Sequence, residues 1–95
     1  MNKVLIIGAG GIGSFLIPLL DRIKEYNITV ADPDKVETKN LLYQNFLPLN
    51  VGQNKAQSMQ DIHNNVSKAS PYPILTAKQM EGYDLVVSCV DNLGV

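Results

Sequence analysis

Near its start the chain reads Val4-Leu5-Ile6-Ile7-Gly8-Ala9-Gly10-Gly11-Ile12-Gly13. Four apolar residues in unbroken sequence, then a glycine cluster, read as a short strand buried on both faces and closed by a tight turn. The glycines satisfy G-x-G-x-x-G, and the motif gains force from its place between a strand and a helix. Gly8 allows the turn, Gly10 lets backbone approach a phosphate with no Cβ in the way, and Gly13 lets the helix pack closely on the strand. The helix that follows offers free N–H groups and a positive dipole end to an anion.

After the turn, the apolar positions Ile12, Phe15, Leu16, Leu19, Leu20 and Ile23 predict a helix over 11–26 with those residues inward. Pro18 lies inside it, where it removes one backbone hydrogen bond. A second strand is predicted over 28–31 and is stopped by Asp32-Pro33-Asp34. Residues 35–50 read as a polar loop with a short helical turn. A weaker amphipathic helix follows over 52–68, with Ala56, Met59, Ile62 and Val66 inward. Further strands are predicted over 74–77 and 85–90. The order implies an α/β, Rossmann-like three-layer αβα half-domain with a mostly parallel sheet, right-handed crossovers and strand order 3-2-1-4.

Asp32 ends the second strand nineteen positions after Gly13. An acid at about that offset, roughly 20 residues, meets a ribose hydroxyl pair and disfavours a 2′-phosphate. NADP is therefore the poorest candidate, while NAD, FAD and ATP remain open at this point. The blander reading is that Asp32 only initiates a turn with Pro33.

Composition bounds the rest. Ninety-five residues, 45% hydrophobic, support one domain, 1–95, and no second substrate lobe. A net charge of −1, with no basic run, gives no footprint for nucleic acid or an anionic membrane. No segment reaches the roughly 20 apolar residues of a membrane span. The single cysteine, Cys89, makes no internal disulfide, which fits a cytoplasmic setting, and it is read as a core residue rather than a nucleophile. His63 is read as a surface residue, and Tyr72 and Tyr83 as packing residues.

The segment from Asp32 to Gln44, D-x-D-x-V-x-x-x-N-L-x-Y-Q, then Val51-Gly52-Gln53-Asn54-Lys55, then Ser88-Cys89-Val90-Asp91-Asn92, resembles the ThiF/MoeB and ubiquitin-activating enzyme superfamily. That resemblance runs through almost the whole chain. It implies a site where Mg²⁺-ATP reacts with the C-terminal carboxylate of a ubiquitin-like or sulfur-carrier protein to give an acyl adenylate and pyrophosphate. It places Gly8, Gly10, Gly11 and Gly13 at the phosphates, Asp32 at the ribose, and Asp34, Asn40, Gln44 and Lys55 among the nucleotide contacts. Asn40, Lys55 and Asp91 become the catalytic set, with Asp91 near Mg²⁺. Asn40 also has the duller reading of capping a helical turn, and Lys55 that of a solvated lysine. The superfamily's arginine is Tyr43 here, a neutral hydroxyl in place of a charged fork, and losing such a charge can cost on the order of 10²–10³ in rate. The resemblance further implies a homodimer and a fragment or truncated relative of a longer domain, with these residues not catalysing alone. The alternatives are an NAD-binding half-domain of a dehydrogenase, or a non-catalytic activating-enzyme relic that serves as a binding module.

Overall fold

The computed structural model describes residues 2–90, so Asp91 and Asn92 lie outside the described residues. Four strands, β1 (Asn2–Ile7), β2 (Tyr26–Ala31), β3 (Val66–Ser70) and β4 (Leu85–Ser88), form one parallel sheet in the order β3-β2-β1-β4. Helices α1 (Gly13–Asp21) and α2 (Lys55–Ile62) connect β1 to β2 and β2 to β3. The predicted strand order is the observed one.

Successive side chains along each strand alternate between the two faces of the sheet. Val4, Ile6, Ile28 and Val30 pack with Ile17 of α1 and with Ala56 and Met59 of α2. Leu5, Ile7 and Ala31 point the other way, against Ile74, Met80, Tyr83 and Val86. The β3–β4 connection thus covers the second face, and its only regular piece is a 3₁₀ turn, Ala77–Met80. That third layer is thin.

Two predicted elements are corrected. The second helix stops at Ile62, and the expected third strand over 74–77 is replaced by β3 at Val66–Ser70. Val66 alone in this strand is buried, and a register shift between Ile28 and Thr29 leaves Ser67 out of the pairing. A polar edge strand carries no apolar run for the eye to find. Helix α1 is also turned from its predicted face: Ile12, Phe15 and Leu19 are exposed, whereas Gly13, Ser14 and Ile17 are buried. Gly13 sets that rotation, because a Cβ there would lie 2.0 Å from the Gly8 carbonyl oxygen. The residue that must face the strand is the glycine, and Ile17 and Leu20 follow it inward at helical spacing.

Pro18 acquires a role in this arrangement. It cannot donate to the carbonyl four residues back, which belongs to Ser14. That oxygen accepts from Asn45 Nδ2 at 3.0 Å, while Ser14 Oγ accepts from the Asn45 backbone N–H at 2.9 Å. The loop after β2 is thereby docked on α1.

Candidate functional site

The carboxyl ends of β1, β2 and β4 open into one cavity of about 710 Å³, within the range of small-molecule sites. Gly8 turns the chain out of β1 with φ +97°, and a Cβ there would approach the backbone of Cys89 and Val90 to 3.0 Å. Only glycine suits that place. Beyond it, the N–H groups of Gly10, Gly11 and Ile12 donate to no backbone or side-chain acceptor among the described residues. They stand at the start of α1, whose N-cap residue makes no side-chain cap, so the helix end is left to an anion.

Asp32 follows β2 and is buried at the cavity edge. Its Oδ2 accepts from the Ala9 N–H at 2.7 Å and its Oδ1 from the Asp34 N–H at 2.8 Å. The turn-forming reading of Asp32 is therefore present in the structure, and the same carboxylate ties the glycine turn to the end of β2. A carboxylate has about four lone-pair positions, so capacity remains for a hydroxyl donor.

Lys55 opens α2 and is only 7% exposed, yet it lines the cavity. No salt bridge joins it to an acid among the described residues. A lysine whose stem is buried, with no carboxylate pairing it among the described residues, presents its charge to the cavity, where an anion is favoured. Asp34 lines this cavity too and, with Lys35, Glu37 and Lys55, a smaller polar one beside it. Gln44 reaches the cavity from the docked loop, its Nε2 3.6 Å from the place a Cβ would take on Gly10. Its Oε1 is buried and has no hydrogen-bond partner among the described residues.

The structure therefore gathers Gly8, Gly10, Gly11, Asp32, Asp34, Gln44 and Lys55 around one cavity. Gly13 lies behind it, as a packing residue against Gly8. Asn40 is buried, is not among the lining residues, and spends its Oδ1 on the Glu37 N–H at 2.7 Å, the capping role the sequence also allowed. Asp91 falls outside the described residues. Tyr43 is 59% exposed and does not line the cavity. The sequence reading missed Pro73, Ile74 and Leu75, which supply an apolar wall from the β3–β4 connection. It also missed Asn54 and Asn45, which hold the loops in place; no spacing rule marks an asparagine whose partners are backbone carbonyls.

Cys89 sits just past β4, half-buried, packing on the main core and lining the cavity. Burial pushes its thiol up, away from the thiolate a nucleophile needs. His63 is corrected: it is not a surface residue but the C-cap of α2, with a side chain 13% exposed and Nδ1 3.8 Å from Asp21 Oδ2. Tyr83 packs on the second face as expected, whereas Tyr72 is exposed.

The sequence pattern of the ThiF family matches residues 1–95. The chain belongs to the ThiF family. Similar proteins include the adenylyltransferase and sulfurtransferase UBA4 of Yarrowia lipolytica, 33% identical over 99% of this chain and 26% of that protein. Ubiquitin-like modifier-activating enzyme 5 of Rattus norvegicus is 29% identical over 94% of this chain and 27% of its own length. Among solved structures, E. coli tRNA N6-threonylcarbamoyladenosine dehydratase, TcdA, in complex with AMP superposes with a TM-score of 0.85 at 28% identity, covering 95% of this chain and 41% of TcdA. E. coli MccB with ATP gives 0.82 at 27% identity, covering 97% and 30%. This ThiF-family chain thus spans about a quarter of the curated relatives it matches. Family membership favours the adenine nucleotide over NAD among the alternatives the glycine turn left open.

Proposed function

We propose that this chain forms the nucleotide-binding part of a ThiF-type adenylating enzyme, taking ATP with Mg²⁺ and presenting its α-phosphate to the C-terminal carboxylate of a ubiquitin-like or sulfur-carrier protein. The observation that carries the reading is Lys55, nearly buried and in the same cavity as the N–H groups of the glycine turn, with neither given an acidic or hydrogen-bonding partner among the described residues. ATP complexes in related folds support the choice of nucleotide.

In this proposal the N–H groups of Gly10 and Gly11 and the Lys55 ammonium neutralise the polyphosphate, Asp32 and Asp34 hold the ribose end, and Gln44 adds a further polar contact, while Asn40 shapes the loop behind the cavity. A carboxylate oxygen of the carrier attacks the α-phosphorus, and pyrophosphate leaves from the opposite side. Mg²⁺ asks for only one or two carboxylates beside phosphate oxygens and water. The described residues offer no cluster of three or more His, Cys, Asp or Glu, and the carboxylate assigned to the metal is Asp91. When bound, Mg²⁺ supplies charge neutralisation at the phosphates. A cytoplasmic homodimer is the setting proposed with this reading. No helix of the described residues is long and apolar enough to cross a membrane.

Tyr43, exposed where the superfamily carries arginine, favours a second reading in which nucleotide is bound but adenylation is weak or absent. Calorimetric titration with ATP, with and without Mg²⁺, and with NAD in parallel, tests the first step. ATP binding that requires metal, and falls roughly 10- to 100-fold in Lys55→Met, is the expected result, the scale of a charged hydrogen bond lost. NAD binding indifferent to metal, or an unchanged Lys55→Met affinity, would overturn it. Pyrophosphate release with a carrier protein separates the catalytic reading from the binding module.

A further inference from the structure

One side chain touches both halves of the candidate site, and neither the glycine turn nor the acid–lysine pattern includes it. Asn54 Oδ1 accepts the Gln57 N–H at 3.0 Å, capping α2. Its Nδ2 donates to the Asp32 carbonyl at 2.7 Å and lies 3.3 Å from the Asp34 carbonyl. The neighbours fix this amide orientation, because a flipped amide would set N–H against N–H and oxygen against two carbonyls. On the same strip, the Lys55 N–H donates to the Asp34 carbonyl at 2.9 Å, and Lys35 pairs with Asn54 as an antiparallel bridge. The turn that presents Asp32 and Asp34 is therefore bonded to the helix end that presents Lys55.

We propose that Asn54 is a positioning residue that keeps the Asp32–Asp34 turn and Lys55 at a set separation, so that the ribose end and the phosphate end of one nucleotide are met together. The inference rests on the ATP reading above. A helix cap alone needs only an oxygen, which serine or aspartate supplies equally well. Holding two carbonyls on the far side needs an amide NH₂, which neither of them has. Asparagine is the cap residue that does both.

Asn54→Ser and Asn54→Asp separate the two roles in the full chain, since each keeps the cap and loses the clamp. Thermal melting of Asn54→Ser should stay within a few degrees of the unaltered chain, while ATP binds roughly 10-fold more weakly, the scale of one or two hydrogen bonds. Amide exchange at Lys55, whose N–H is held by the Asp34 carbonyl, should quicken in both variants. Full ATP affinity in Asn54→Ser, or affinity and melting that fall together, would reduce Asn54 to a cap and overturn the proposal. Should the unaltered chain take no ATP, the functional reading fails by itself. Lys55 exchange then still decides: unchanged in Asn54→Ser it overturns the positioning role, and quickened it supports it.

Discussion

The two ends of the sheet use their polar groups differently. At the amino ends, Asp21 accepts the Asn65 N–H at 2.6 Å, Asn65 Nδ2 donates back to the Asp21 carbonyl at 2.8 Å, and Asp84 exchanges bonds with the Lys3 backbone. The protein there binds itself. At the carboxyl ends, Asp32 is likewise engaged, but among the described residues the N–H groups of Gly10 and Gly11 and the Lys55 ammonium have no partner and face the cavity. Groups whose desolvation is compensated internally stabilise the fold, and groups left without a partner wait for a ligand. Which residues matter for stability and which for binding should follow that division.

The largest expected effect lies within the glycine turn itself. Gly13→Ala would drive a Cβ to 2.0 Å from the Gly8 oxygen, and should cost about 3 kcal/mol or more, as severe overpacking does. Gly10→Ala meets only the end of the Gln44 side chain, at 3.6 Å, so the fold should hold while the methyl group intrudes on the nucleotide. Thermal melting and ATP titration of the two variants check this. Equal melting would dissolve the distinction between a glycine the fold needs and a glycine the ligand needs.

That distinction also marks how far the sequence could be read. The strand, the turn and Asp32 were legible because their spacing reflects backbone geometry common to every sheet of this kind. The face of α1 was not, since Phe15 and Leu19 outbid glycine on hydrophobicity while sterics at Gly13 settle the rotation. β3 was hidden because an edge strand such as Val66–Ser70 needs few apolar residues. Pro18 looked like a flaw in a helix and became intelligible only when Asn45 was found on the carbonyl it frees. Asn54 escaped for a similar reason: its donors meet backbone carbonyls that are close in space and 22 and 20 residues away in sequence.

At the opposite end, Asp21→Ala removes the acceptor for the Asn65 N–H and the acid beside His63. Destabilisation of about 1–2 kcal/mol is expected for a part-buried donor left unpaired. ATP affinity, measured below the melting range, should not move. A parallel loss of affinity would show that the two ends are coupled through the sheet.

The smallest effect concerns pH and the same cluster. Burial holds His63 below its usual value, with the nearby Asp21 carboxylate opposing. A folded-state value lowered in this way means that the unfolded chain binds the proton more readily. The stability involved is therefore complete above the ordinary imidazole value of about 6.5 and drains away as pH falls through it toward the folded value. Denaturation between pH 7.5 and 5.5 should show this slope in the unaltered chain, a shallower one in His63→Gln and a steeper one in Asp21→Asn, where burial acts without its opposing charge. Nucleotide affinity should not follow that slope, because His63 caps the end of α2 away from Lys55. An affinity that tracked His63 protonation would mean that α2 transmits strain along its length, and the separation of the two ends would fail at a helix they share.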